Sequence, residues 1–246
     1  MRFDILTLFP EMFSGLNSSI IKRALEKDII EINIHNFRKF SLDKNKRVDD
    51  YSYGGGAGMI IGLQAILDCI KDIAGFEKAH KIMFTPLGNL YNQKKAIELS
   101  KKDHIILLCG HYEGIDYRIT DYIDEEISIG DFILTGGEIP ALTVVDSITR
   151  LLPEVLGNDE STAIESFTNS LLEYPQYTRP EEYEGKKVPQ ILLSGNHEKI
   201  RQYRRYKSLE FTYKRRPDLL EKAELTKEDL KFLEMIKRGE ELSENF

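Results

Sequence analysis

Ile105–Cys109 (IILLC) is apolar at every position and is stopped by Gly110. A strand with one wet face alternates polar and apolar residues. A run with no polar position is buried on both faces, as a strand inside a helix-covered parallel sheet is. Shorter β-like runs precede and follow it at Phe3–Phe9, Ile29–Ile34, Lys81–Phe84 and Ile127–Leu134, the last interrupted by Gly130 and Asp131. Between them lie helical patterns at Ser18–Lys27, Leu63–Ile73, Gln93–Ser100 and Ile139–Leu152. This β/α alternation predicts an α/β fold, an open and mostly parallel sheet flanked by helices. The character then changes. Gly157–Thr162 (GNDEST) is polar and Gly-led, which marks a linker. Three X-Pro pairs follow, and then helical patterns at Glu198–Leu209 and Thr226–Lys237. The expected organisation is an α/β domain over residues 1–157, a linker over 158–170 and a small helical domain over 171–246.

Composition closes off several classes. With 41% hydrophobic and 30% charged residues in 246, the chain has the make-up of a soluble globular protein and not of a disordered one. No run approaches the roughly 18 to 20 apolar residues of a membrane span. The start, MRFDILTLFPEMF, lacks a signal-peptide layout, so a cytoplasmic location is expected. Cys69 and Cys109 are the only cysteines, too few for a disulfide framework or a cysteine zinc site. The net charge of −7 argues against a nucleic-acid partner, but it is unevenly spread. Asp121–Ser170 holds eleven acidic residues and one basic residue, Arg150. Asn196–Arg216 holds eight basic residues and two acidic ones. On charge alone that basic block reads first as a solvated helix face, and second as a nucleic-acid contact.

Three Gly-bearing loops follow the β-like runs: Thr85–Gly88, Cys109–Gly114, and Ser128–Asp131 continuing to Thr135–Glu138. In open α/β sheets ligands bind outside the carboxyl ends of the strands, where glycines let the backbone approach them closely. Familiar alternatives are absent. There is no dinucleotide G-x-G-x-x-G, no Walker loop, no H-E-x-x-H and no G-x-S-x-G. Among five scattered histidines, His111 and His197 stand in Gly-containing loops. A fourth cluster, Tyr53-Gly54-Gly55-Gly56-Ala57-Gly58, precedes a helix. Four glycines in five residues suit a mobile loop, or backbone amides turned to a phosphate or a flat base.

Taken together, LFPEMF (Leu8–Phe13), VDDYSYGGGAGM (Val48–Met59), CGHYEGID (Cys109–Asp116), IDEEISIGDFILTGGEIPAL (Ile123–Leu142), YPQYTRP (Tyr174–Pro180), VPQILLSGNH (Val188–His197) and RRPDLL (Arg215–Leu220) closely resemble the bacterial tRNA (guanine-N1-)methyltransferases of the SPOUT superfamily. The segments fall in the family's order along nearly the whole chain. The resemblance implies a deep trefoil knot formed by the three Gly-bearing loops, which general fold rules would not have suggested. It implies S-adenosylmethionine bound in that knot and a homodimer with shared active sites. Its substrate would be tRNA, methylated at N1 of the guanosine 3′-adjacent to the anticodon.

Carried over by position, the cofactor contacts fall at Thr85, Pro86, Leu87, Gly110, Tyr112, Glu113, Ile129, Gly130, Asp131, Phe132, Ile133, Leu134, Gly136, Gly137 and Pro140. With tRNA as substrate, Asp50, Tyr53, Gly55 and Gly56 in the glycine loop and His197 are candidate RNA contacts, and Arg201, Arg204, Arg205 and Lys207, at helical spacing, are expected on the anticodon-stem phosphates, with Lys214, Arg215 and Arg216 beyond them. Tyr203 and Tyr206, interleaved with those arginines, read as core. Guanine N1 carries a proton at neutral pH, so methyl transfer needs a base, and the charge that develops on the ring needs a cation. The family places an aspartate in the linker and an arginine on the preceding helix in these roles. Arg150 matches the arginine. The aspartate's place, directly before Ser-Phe, holds Glu165, a carboxylate with one more methylene; Asp159 and Glu160 are nearby alternatives. Ser52 and Ala57 stand where the family commonly has proline, which suggests a looser loop. The family's reaction is magnesium-assisted, but the sequence singles out no ligands for that ion. The competing readings are a tRNA-binding dimer of the same fold without catalysis, and a SPOUT methyltransferase acting at another RNA position.

Overall fold

The protein is described by a computed structural model covering residues 1–156, 165–167 and 169–241. These fall into two compact units, Met1–Gly157 and Asn158–Phe246. Unit 1 is built on a five-stranded sheet in the order β2-β1-β6-β5-β7, from β1 (Arg2–Thr7), β2 (Glu31–Asn36), β5 (His80–Leu90), β6 (His104–Leu108) and β7 (Glu125–Ser128). Every pairing in it is parallel. The apolar run that reads as a buried strand is β6, in the middle of this order. Two two-residue strands, β3 (Asp49–Asp50) and β4 (Ile60–Ile61), form a separate antiparallel ribbon.

The strand period of two sorts the core into two layers. Phe3, Ile5, Ile105 and Leu107 pack on one face with Ile21 and Ala24 of α1 (Ser19–Glu26), Leu99 of α3 (Gln93–Leu99) and Val144, Val145 and Ile148 of α4 (Glu138–Thr149). Leu6, Ile106 and Leu108 pack on the other with Ala65, Ile66, Cys69 and Ile70 of α2 (Leu63–Asp72). The two cysteines belong to these opposite layers and are both buried and free. Burial pushes the Cys69 thiol up to about 12 and Cys109 up as well, so neither is a nucleophile at neutral pH.

Two expectations are corrected. The strand foreseen over Ile127–Leu134 stops at Ser128. The chain turns at Gly130, where the Phe132 N–H returns to the Gly130 carbonyl at 3.0 Å, and the later apolar residues leave the sheet. The strand foreseen over Lys81–Phe84 runs on to Leu90, with a register shift. Both Phe84 and Asn89 pair with Ile127, so Thr85-Pro86-Leu87-Gly88 forms an excursion between them. Pro86 has no N–H to give to a ladder, and an excursion is where a strand tolerates it.

One buried charge lies in the sheet itself. Asp4, in β1, is fully buried and receives Nε2 of His35 and of His104, each at 2.6 Å, and the Arg2 guanidinium at 2.7 Å. Burial alone would push its carboxyl up; the hydrogen bonds from His35, Arg2 and His104 overcome this and hold it at about 2. A lowered folded-state pKa contributes stability that is complete above the unfolded value near 4 and disappears as pH falls through 2. The stability difference between the parent and Asp4→Asn is therefore expected to shrink by about 2 kcal/mol between pH 5 and pH 2. Urea unfolding at a series of pH values measures it, and a difference independent of pH would refute the assignment.

Unit 2 packs Leu171 with Tyr206 and Leu209 of α5 (His197–Arg215) and Phe232, Leu233 and Ile236 of α6 (Lys227–Arg238). Of the two tyrosines read as core, Tyr206 is buried and its hydroxyl donates to the Glu240 carbonyl at 2.7 Å, whereas Tyr203 is only half-buried. Thr226 and Asp229 form a reciprocal capping box at the start of α6, and Arg205 reaches across from α5 to the same Asp229 at 2.6 Å. Burial raises the Asp229 carboxyl, and Arg205 with Thr226 brings it below the ordinary range. Among the described residues, no helix is long and apolar enough to cross a membrane.

Candidate active site

The carboxyl ends of β5, β6 and β7 open into a cavity of about 430 Å³, within the range of small-molecule sites. Its wall comes from the three Gly-bearing segments. One is the excursion at 85–88, the second follows β6 from Gly110 to Ile115, and the third follows β7 through Gly137. The segments are fastened to one another. The Gly137 N–H donates to the Gly110 carbonyl at 2.9 Å, and His111 forms an isolated antiparallel bridge with Gly136. Beneath them Glu138, at the first turn of α4, is buried and accepts the Thr7 hydroxyl at 2.7 Å. A carboxylate at a helix N-terminus is stabilised by the helix dipole, so this one serves as a buried anchor between β1 and the cavity floor.

Of the fifteen positions expected to hold the cofactor, fourteen line this cavity. Asp131 does not; it sits in the turn where Phe132 folds back to Gly130. The wall combines apolar side chains, such as Leu87, Ile129, Leu134 and Pro140, with backbone from glycine-bearing turns. That construction suits a flat ligand recognised through its edges. The wall also includes Glu126, Ser128, Tyr117, Thr120, Thr135 and His111, of which the sequence placed Ser128, Thr135 and His111 in the Gly-bearing loops. Glu126 lies within the IDEEISIGDFILTGGEIPAL segment, but it follows three other acidic residues closely and was not singled out. The His111 ring packs 4.7 Å from that of Phe9 and edge-on to Tyr112 at 5.4 Å. LFPEMF and CGHYEGID thus meet through these rings.

The glycine-rich loop is tied to the same wall. Ile61 of β4 donates its N–H to the Gly114 carbonyl at 2.9 Å and accepts that of Asp116 at 2.9 Å, while Glu113 donates to the Met59 carbonyl. Gly54, Gly55, Gly56 and Gly58 lie at φ of +87°, +80°, +124° and +85°, a backbone only glycine adopts without strain. Ser52, expected to loosen this loop, closes its turn by donating to the Gly55 carbonyl at 2.9 Å. Asp50, Gly55 and Gly56 are exposed, and Tyr53 is wholly so.

The two residues expected to carry the chemistry belong to different units. Arg150 caps the C-terminus of α4 and is half-buried. Glu165, also half-buried, opens a segment strapped to unit 2. Next to it the Ser166 hydroxyl accepts the Glu173 N–H at 2.9 Å. The Phe167 N–H donates to Leu171 at 2.8 Å, and the Leu172 N–H to Thr212 of α5 at 2.9 Å. Asp159, Glu160 and most of the 158–170 linker lie outside the described residues. No group of three or more His, Cys, Asp or Glu side chains among the described residues is arranged to hold a metal ion, and magnesium is assigned no ligands.

The basic block is less available than its charge count suggests. Arg201 pairs with Glu198 and Glu228, and Arg205 with Asp229, so two of the three arginines expected on the stem phosphates are engaged within the unit. Arg204 is exposed and lies over the Tyr174 ring, 4.9 Å from its centroid. His197 is exposed at the start of α5, where the Asn196 side chain accepts the Lys199 N–H.

Comparison with known proteins agrees with this architecture. Residues 1–222 match the family described as tRNA (Guanine-1)-methyltransferase TrmD. The tRNA (guanine-N(1)-)-methyltransferase of Clostridium novyi (strain NT) is 57% identical over 238 residues, 97% of this chain and 99% of its own length. That of Clostridium tetani (strain Massachusetts / E88) is 59% identical over 232 residues, 94% of this chain and 97% of its own. With a family match over most of its length, and relatives of this identity aligned nearly end to end, the chain belongs to the tRNA (guanine-1)-methyltransferase family.

Proposed function

We propose that the protein transfers the methyl group of S-adenosylmethionine to N1 of the guanosine 3′-adjacent to the anticodon of tRNA, with Glu165 as general base and Arg150 as the cation that balances charge on the ring. The observation that carries this reading is that three strand-end segments bring fourteen expected cofactor positions together around one cavity. Its volume, apolar walls and accessible backbone groups fit an adenosyl ligand, with Leu87, Ile129, Leu134 and Pro140 against the flat ring and backbone N–H and C=O groups on its edges. When bound, S-adenosylmethionine supplies an electrophilic methyl group on a sulfonium.

The chain's own residues do the rest. Glu165 takes the N1 proton, which turns a poor nucleophile into a good one. Arg150 offsets the negative charge that then develops at N1 and O6. The glycine loop, tied to Gly114 and Asp116, turns its backbone toward the target base. The protein acts as a homodimer with shared active sites. Supporting the dimer are exposed apolar side chains among those lining the cavity: Leu87 and Ile133 are each 81% exposed and Phe132 more than half. Soluble monomers rarely leave such side chains together in water.

Transfer of labelled methyl from S-adenosylmethionine to an unmodified leucine-type tRNA transcript, with two adjacent guanosines on the anticodon's 3′ side, tests the reading. Labelling of that transcript, and none of a matched one with the target guanosine replaced, is the expected result. Equal labelling of both would move the reaction to another RNA position. Binding of both ligands without transfer would leave a tRNA-binding protein in place of an enzyme.

A further inference from the structure

A second cationic surface of this acidic chain lies in unit 1, apart from α5. Along α5 and just beyond it, most charge is met by charge: Lys207 and Lys214 both pair with Glu210, Arg216 pairs with Asp218, and Arg201 and Arg205 are engaged as described above, while Lys199, Arg204 and Arg215 form no ion pair among the described residues. The loop between β2 and β3 holds a second group of such cations. Residues 38–47 contain Arg38, Lys39, Lys44, Lys46 and Arg47 and one acidic residue, Asp43. Among the described residues, only Arg47 of these five forms an ion pair, with Asp43 at 3.2 Å. All but the half-buried Arg38 are exposed.

This loop is built to hold its shape. Asp43 accepts the backbone N–H groups of Asn45 and Arg47 at 2.7 and 3.2 Å. The Lys46 ammonium donates to the Ser41 carbonyl at 3.1 Å, and the Arg38 guanidinium to the Lys46 carbonyl at 3.3 Å. Gln64 of α2 donates to the Phe40 carbonyl at 2.9 Å, which fastens the loop to the core. Some of the charge thus organises the loop itself. Lys39 and Lys44 make no side-chain hydrogen bond or ion pair among the described residues, and they project from a fixed frame. Holding like charges close together costs free energy unless something anionic covers them.

We infer that this loop docks the phosphodiester backbone of the tRNA substrate. The inference rests on the tRNA reading above and adds a second, electrostatic contact on the unit that holds the cavity. Position favours a polyanion that also reaches the cavity. The loop leads directly into β3, which pairs with β4, which is bonded to the cavity wall. Gly54 follows Arg47 with six residues between them, so the loop's end lies within about 25 Å of the glycine loop along the chain. An RNA whose target base enters the cavity carries its backbone across that distance. These contacts would position the RNA without reading its sequence.

The test uses the full chain and the unmodified tRNA transcript. Lys39→Gln combined with Lys44→Gln is expected to raise KM for tRNA by roughly tenfold at low salt, and to lower the slope of log affinity against log salt by about 1 to 2. kcat and affinity for S-adenosylmethionine are expected to stay at the parent values. The charge-keeping pair Lys39→Arg and Lys44→Arg is expected to restore KM and slope, and thermal unfolding checks that both variants fold. Parental KM and salt slope in the glutamine variant, with the parent methylating tRNA normally, would overturn the inference and leave the function intact. A parent that neither binds nor methylates tRNA would instead overturn the functional reading, and this inference with it.

Discussion

Glu165→Gln is expected to bind tRNA and S-adenosylmethionine like the parent and to lose roughly 10²- to 10⁴-fold in kcat, the usual contribution of a positioned base. Glutamine keeps the length, shape and hydrogen-bonding oxygen of the side chain. It removes the negative charge and the capacity to take a proton, and it turns one acceptor oxygen into an N–H donor. The strap beside Glu165 is held by backbone groups, by the Ser166 hydroxyl and by Thr212 of α5, none of which the substitution alters, and thermal unfolding checks that the variant folds. A KM-against-kcat split therefore separates the chemical role from a structural one. Glu165→Asp keeps a carboxylate at this place, one methylene shorter, and is expected to stay active, within about tenfold of the parent. Full methyl transfer by Glu165→Gln would remove Glu165 from the mechanism and pass the role to Asp159 or Glu160. Single-turnover assays with Asp159→Asn and Glu160→Gln would then choose between them.

What the sequence made legible follows from the range of the physics involved. Ile105–Cys109 announces a buried strand because burial on both faces leaves no polar position, and the structure puts β6 in the middle of the sheet. The helical patterns at Leu63–Ile73 and Gln93–Ser100 appear within a residue of their expected bounds, because each has one apolar face and one neighbouring layer to cover it. Ile127–Leu134 misleads for a reason of its own. Its second half is apolar without being core, and Phe132 and Ile133 line a cavity and stand exposed. Composition cannot distinguish a side chain that packs into a core from one that awaits a ligand or a partner. Charge misleads in a similar way. The partners of Arg201 and Arg205, Glu228 and Asp229, lie more than twenty residues away on another helix, so a window over the basic block counts cations that are already neutralised. Conversely, residues 38–47 pass unnoticed, since Asp43, Asp49 and Asp50 dilute the local sum. Only the folded loop shows which of its charges are spent. The cavity itself was legible through its Gly-bearing strand ends and through resemblance, whereas Arg150 and Glu165, proposed for the chemistry, are not among the residues that line it.

Gly88→Ala is expected to weaken binding of S-adenosylmethionine by more than about a hundredfold, the scale of loss that a misplacement near 1 Å produces in a preorganised site. Gly88 ends the four-residue excursion by which β5 leaves and rejoins β7. A Cβ placed there would lie 2.4 Å from the Ile127 nitrogen, 2.5 Å from the Glu126 carbonyl carbon and 2.6 Å from the Ile127 carbonyl carbon. All three are main-chain atoms of the neighbouring strand, so no side chain can rotate aside, and alanine has no rotamer with which to escape. The strands must part at the point where the Thr85–Leu87 and Ile129–Gly130 walls of the cavity spring from them. Overpacking of this kind costs about 1 to 3 kcal/mol, and occasionally more. A domain with a total stability of roughly 5 to 15 kcal/mol survives that at low temperature, where binding can still be measured. Calorimetric titration with S-adenosylmethionine, alongside thermal unfolding, reads both effects on one sample. Gly15→Ala is the matched control: nothing lies within 4 Å of its Cβ, and it should alter neither melting nor binding. If Gly88→Ala bound the ligand with parental affinity, the cavity at these strand ends could not be the cofactor site. If it melted with the parent as well, the close approach of β5 and β7 at Gly88 would itself be wrong.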